Sequence, residues 1–205
     1  MNILASPWNV VFFLGLLVYL RIRGVYASRT RRQEKALRRI DALEKFLLVT
    51  VIGGCLIPPL LYLFTPLLNF ANYRLPAFVP WCGLATMLLA LWLFWRSHVD
   101  LGDNWSVSLE LRKDHQLVTH GVYRLIRHPM YASIWLWSIA QALLLANWFA
   151  GWSSLVPFAL MYFLRTPREE HMMREVFGRQ YEDYVAQTGR LFPRLVGRKQ
   201  ALGEN

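Results

Sequence analysis

At 205 residues the chain has room for one domain of ordinary size, yet 55% of it is hydrophobic, with nine Trp, nine Tyr and twelve Phe. Apolar runs of about twenty residues recur, the length a helix needs to cross a bilayer, and in lipid only a helix pairs its own backbone groups; a soluble fold is excluded. A net charge of +10 would point to nucleic acid in a soluble protein, but here the basic residues stand between apolar runs, where they report topology, and no nucleic-acid partner is expected.

The first span is expected over residues 7–22, and with no basic stretch before it and no clear cleavage site it reads as retained rather than removed. A polar segment from Arg21 to Lys45 follows, with nine Lys or Arg. Ala36, Leu37, Ile40 and Leu43 recur there at helical spacing, which predicts either a basic amphipathic helix on the headgroups or a solvated extension of the second span. The second span covers 46–64 and contains Gly53, Gly54, Pro58 and Pro59, tolerated where neighbouring helices cover the freed backbone. The third covers 77–95 and ends in the interfacial aromatics Trp92 and Trp95. After a polar stretch over 96–128, a fourth span runs over 129–149. A tight turn at 147–151 leads to a short fifth span over 152–164, so these two form a helical hairpin. Cys55 and Cys82 both fall inside spans, without disulfide or metal-ligand spacing, and no metal is expected.

The fold class is therefore all-α: a polytopic integral membrane protein with about five transmembrane helices, the last two a hairpin followed by a cytoplasmic helical tail. It reads as one membrane domain over 1–205. Residues 1–95 hold spans one to three with the basic segment 21–45, and 96–205 hold a ligand loop, the hairpin and the tail. The segments after spans one, three and five carry nine, five and eight of the 23 basic residues, and Arg74 is the remaining one. Five spans put all three segments on one side, which the positive-inside rule makes cytoplasmic.

Chemistry concentrates in two places. The first is the run from His115 to Tyr131, where the chain re-enters the membrane. His128 precedes a proline and is biased to extended backbone, while Pro129 suits the first position of a helix. The N–H groups of Met130, Tyr131 and Ala132 then lack helical acceptors and lie beside Arg124, Arg127 and His128, an arrangement suited to a carboxylate or phosphate. For any one of Tyr123, Arg124, Arg127 and Tyr131, anchoring in headgroups is the simpler reading; for the whole string, ligand binding is. The second place is Arg165-Thr-Pro-Arg-Glu169-Glu170. On a continuous helix Arg165 and Glu169 share a face. Alternatively Thr166 to Glu169 is a capping box, with Pro167 at the first position of a cytoplasmic helix that runs to Gly178. A hairpin would bring the two places together, where a small zwitterion fits: its carboxylate at the helix N-terminus and its cation against Glu169.

The string Gly121-Val-Tyr123, Arg127-His-Pro-Met-Tyr131, then Arg165, Glu169-Glu170, Phe177-Gly178, Tyr181, Tyr184 and Pro193 resembles the isoprenylcysteine carboxyl methyltransferases and related membrane phospholipid methyltransferases. The resemblance spans about Leu117 to Pro193, and the short chain suggests a prokaryotic member, in a cytoplasmic membrane with the site facing the cytoplasm. It implies S-adenosyl-L-methionine as cofactor, held by His115, Gln116, Leu117, Val118, Tyr123, His128, Pro129, Met130, Tyr131 and Glu169, with a further contact near Ser108 or Leu109. It also implies Arg165 as the catalytic residue, set against a lipophilic small-molecule or prenylated acceptor, with membrane lipids as further partners. A carboxylate acceptor, ionised at neutral pH, needs no general base. An amine acceptor would, with His98, His120 or Glu170 as candidates; a thiol acceptor is the third option. A nicotinamide-dependent membrane reductase shares an Arg-His-Pro-type tail but has more spans. A non-catalytic membrane protein or small transporter is the rival from a different class, and a transporter would carry more charges inside its spans.

The charge pattern predicts an external N-terminus and a cytoplasmic C-terminus. A cysteine placed at Asn72 is expected to react with an impermeant thiol reagent from outside only; labelling from the cytoplasmic side alone would overturn that topology.

Overall fold

The computed structural model describes residues 2–30, 37–38, 42–102, 110–111 and 116–194. Seven α-helices appear among them: α1 (Pro7–Thr30), α2 (Ala42–Phe64), α3 (Val79–Leu101), α4 (Pro129–Leu144), α5 (Trp148–Trp152), α6 (Leu155–Phe177) and α7 (Arg179–Gln187). Among the described residues the fold is all-α but for one two-residue antiparallel ladder, in which Leu37 pairs with Leu111 and Arg38 with Glu110, and isolated bridges at Asn72–Asn147 and Ile126–Gly189. Three helices, α1, α2 and α3, are long and apolar enough to cross a membrane. Of the other two expected spans, α4 has only 16 residues, and the second half of α6 is highly charged.

Four expectations change. The helix of the first span does not stop near Ile22 but continues to Thr30, and α2 begins at Ala42 rather than Phe46, so the polar segment extends both helices. No amphipathic helix covers Leu37, which lies in the short strand; Ala36 and Ile40 fall outside the described residues, and Leu43 belongs to the first turn of α2. A helix of two turns is marginal in water, and pairing with residues 110–111 satisfies the backbone instead. The tight turn at 147–151 is the short helix α5. Asn147 starts it, its side chain accepting from the N–H groups of Phe149 and Ala150 while donating to the Leu68 carbonyl at 2.6 Å. Finally, α6 runs unbroken through Thr166 and Pro167, so there is no capping box at 166–169. Pro167 removes one N–H from the ladder. Helix α6 packs against α2, where Arg165, two residues before the proline, meets Glu44.

Two apolar clusters build the bundle. The first joins Phe12 and Leu16 of α1, Tyr62 and Leu63 of α2, Met87 and Ala90 of α3, and Trp137, Ala140 and Leu144 of α4. The second joins Leu47, Val51 and Cys55 of α2 to Tyr131 and Ile134 of α4 and to Phe158, Met161 and Tyr162 of α6. Large apolar side chains also cover the outside, among them Leu14, Val49, Trp81, Leu88, Val156 and Phe163. A surface so apolar is what contact with lipid requires.

Gly54 sets the closest approach of α2 to the α5–α6 connection. A Cβ there would lie 2.5 Å from the Ser153 carbonyl oxygen and 3.1 Å from the Pro157 ring. The Ser153 hydroxyl in turn donates to the Gly54 carbonyl at 2.7 Å. Gly54→Ala is expected to cost roughly 1–3 kcal/mol through overpacking, seen as a lower Tm of the detergent-solubilised protein. Gly53→Ala, whose Cβ meets only Ile57 at 3.8 Å, is expected to melt close to the parent.

Candidate active site

The approach to α4 is fixed by a turn docked on α3. Gly121 has φ +58, and the Asp100 carboxyl fills the space a Cβ would take. Asp100 accepts the Val122 N–H at 2.8 Å and pairs with Arg96 at 2.6 Å. A 3-10 turn over Gly121–Arg124 follows, with Tyr123 buried beneath it. The tail closes over this turn. Arg127 N–H donates to the Gly189 carbonyl at 2.8 Å, His128 N–H to the Arg190 carbonyl at 3.0 Å, and the Tyr184 hydroxyl to the Tyr123 carbonyl at 2.7 Å. The Arg127 guanidinium donates to the carbonyls of Val185 and Thr188. Helix α4 then starts at Pro129, as the His-Pro pair predicts.

At this point the two constellations meet. The Tyr131 hydroxyl donates to Glu169 Oε2 at 2.5 Å, and the His128 and Tyr131 rings stack with centroids 5.3 Å apart. His128 Nε2 lies 3.2 Å from Glu170 Oε1, and His128 Nδ1 lies 3.9 Å from Glu169 Oε1. Glu170 is almost wholly enclosed. Arg190 binds it through two nitrogens, at 3.0 and 2.7 Å, while Arg127 stands at 3.6 Å and Arg174 at 3.8 Å. Burial works to raise the Glu170 carboxyl, but the hydrogen bonds from His128 and Arg190 win and hold it at about 2. Glu169 differs: its side chain is 30% exposed, the accessible carboxylate of the pair. Arg165 is buried, with Nη1 3.2 Å from Oε1 of the fully buried Glu44, and Tyr131 and Glu169 also lie within its electrostatic reach.

Of the residues proposed from the sequence, Tyr123, His128, Pro129, Met130, Tyr131, Arg165 and Glu169 fall in or beside this cluster. Gln116, Leu117 and Val118 lie on the irregular approach to it, the first exposed and the others half-buried. His115, Ser108 and Leu109 lie outside the described residues. As possible bases, His98 is buried against Phe94 and Tyr26 on the α1 side of α3, and His120 is exposed before the turn. Glu170 is locked by its cations. Sequence reasoning missed Glu44 and the roles of Arg190 and Asp100. One signal for Glu44 was present, an acid at the edge of an apolar span inside a basic segment.

The donor set suits a small zwitterion. It offers an accessible carboxylate for a cation, a stacked aromatic pair to pack against, and a helix start flanked by arginines for a carboxylate.

Fold and geometry together define an all-α integral membrane protein with a charged side-chain cluster where its helices leave the apolar layer. Residues 82–175 match the model of the isoprenylcysteine carboxyl methyltransferase (ICMT) family, and the resemblance carried by the motifs is thereby shown. The chain is 29% identical over 123 residues to a probable protein-S-isoprenylcysteine O-methyltransferase of Oryza sativa subsp. indica, covering 59% of this chain and 64% of that one. It is 32% identical over 105 residues to protein-S-isoprenylcysteine O-methyltransferase B of Arabidopsis thaliana, covering 50% and 53%. The chain thus spans less than two thirds of the length of these curated relatives. The solved structure of a eukaryotic intramembrane Ras methyltransferase, ICMT, superposes with a TM-score of 0.56 at 25% identity, covering 94% of this chain and 70% of that one.

The folded-state carboxyl of Glu170 lies below its ordinary value of 4.5, so it contributes stability that is full above that value and lost as pH falls through about 2. Glu170→Gln is expected to lower Tm in detergent at pH 7, with the gap to the parent narrowing as pH is taken below 4.5. A gap that stays constant down to pH 3 would remove Glu170 from the role of scaffold charge.

Proposed function

We propose that the protein is a membrane methyltransferase that moves a methyl group from S-adenosylmethionine to a lipophilic acceptor at the cytoplasmic face, foremost the carboxylate of an isoprenylcysteine-like group. The contact that carries this reading is Tyr131 to Glu169, which joins the two motifs into one site with an accessible carboxylate. The family match and the names of the relatives support the chemistry.

The cofactor, when bound, supplies an electrophilic methyl on a cationic sulfur. Glu169 offers the negative charge that balances a cation there, and the Tyr131 hydroxyl orients that carboxylate. The first turn of α4, with Arg127 behind it, suits the carboxylate end. His115, Gln116, Leu117, Val118, Tyr123 and Met130 would line the loop side. Arg165 is the residue set toward the acceptor, where a planar guanidinium can orient a carboxylate through two hydrogen bonds. That nucleophile is already ionised, so alignment and exclusion of water form the catalytic task and no base is required. A lipid tail would reach this point sideways, between helices.

The test pairs binding with turnover on purified protein in lipid nanodiscs, using a methyl-labelled donor and an S-prenylated cysteine with a free carboxylate. A labelled, base-labile ester on that cysteine is expected. Label on a phospholipid amine instead would overturn the carboxylate acceptor. Since α6 has no capping box for a Gln to preserve, Glu169→Gln is expected to weaken donor affinity by roughly tenfold or more, as for loss of a charged contact. Arg165→Lys is expected to keep that affinity while turnover falls roughly ten- to a hundredfold, because Lys cannot reproduce the fork. Equal losses in both would place Arg165 in folding or in the donor site.

A further inference from the structure

Glu44 lies in the first turn of α2, outside the residues that match the family, and it is fully buried. Its Oε1 stands 3.2 Å from Nη1 of Arg165, which is buried too. An arginine that merely anchors a helix in headgroups would reach outward to water. This one is turned inward to meet an acid from another helix. Two buried charges cost several kcal/mol of desolvation, and a pair of this kind is seldom the most stable filling of its space. Apolar residues fill the space directly below it: Leu47 one turn on in α2, and Met161 and Tyr162 one turn back in α6. The fold thus holds a charged pair at the edge of a layer that apolar side chains could have closed.

We propose that Glu44 is a positioning residue for the transfer, acting through Arg165; this rests on the methyl-transfer reading above. Glu44 does two things. It fixes the guanidinium from the α2 side, so the direction of the fork is set before the acceptor arrives. It also offsets the arginine charge. An acceptor carboxylate then meets a guanidinium whose charge Glu44 helps to offset beside Glu169, is oriented without being bound tightly, and stays nucleophilic. The α2 helix, which carries none of the family motif, thereby takes part in the reaction.

The experiment uses Glu44→Gln in the full chain in nanodiscs, a variant that keeps shape and removes charge. Turnover is expected to fall roughly tenfold while KM for the S-prenylated cysteine also falls, the pattern of a ground state bound more tightly. Affinity for S-adenosylmethionine is expected to stay within about twofold, since no donor contact is removed. In an Arg165→Lys background the same change is expected to add little, because the two residues act as one unit. Should Glu44→Gln fail to fold, Glu44→Asp keeps the charge at shorter reach; its turnover is expected to drop with KM near the parent value. Unchanged turnover and KM in a folded Glu44 variant would overturn the proposal. So would parallel loss of donor affinity, turnover and Tm, which would make Glu44 purely structural. A parent protein that labels no prenylated cysteine would instead overturn the underlying methyl-transfer reading, an outcome distinct from both.

Discussion

Glu170 gathers partners from three segments of the chain: Arg127 and His128 at the head of α4, Arg174 on its own helix and Arg190 in the tail. Apolar packing reaches these segments too, with Ile126 and Leu191 set against Leu93 and Ala132, and the charges add to it where the apolar layer ends. A buried carboxylate without partners would be intolerable, so each cation that closes on it also fixes a piece of backbone. Arg190 brings the tail, and the tail brings the carbonyls that receive the N–H groups of Arg127 and His128. The loop ahead of α4 is thus built from the far end of the chain, and its shape depends on a charge on α6.

What the sequence shows and what it hides follow from range. The start of α4 was legible because His128 and Pro129 act on their own dihedral angles. The stop of α6 at Gly178 was legible for the same reason: its φ of +49 suits glycine. The Arg165–Glu169 face was legible from helical spacing, but only conditionally, since Thr166-Pro167 also fits a helix start. Tertiary packing of α6 on α2 decided between the two, and no local signal reports that packing. Glu44 and Arg190 were hidden for a related reason. Each finds its partner outside its own element, and in a chain with 23 basic residues one more arginine or one stray acid carries little weight by itself. The short helix α5 was read as a turn because its cap, Asn147, looks like any loop asparagine until its amide is seen reaching Leu68 and Asn72.

The division of roles between Glu169 and Glu170 follows from helix phase. Neighbouring residues on an α-helix point about 100° apart, so the two carboxylates lie toward opposite nitrogens of His128 and find different further partners. Glu170 faces inward and is consumed by the scaffold. Glu169 shares the Arg165 face, meets Tyr131 and stays partly open. Had α6 broken at Pro167, the register between Arg165 and Glu169 would be lost, and a ligand cation and an acceptor anion would have no fixed separation. Continuity through the proline is therefore what couples the two ends of the proposed reaction. It keeps residues four apart on one side of α6, Arg165 against Glu44 of α2 and Glu169 against Tyr131 of α4.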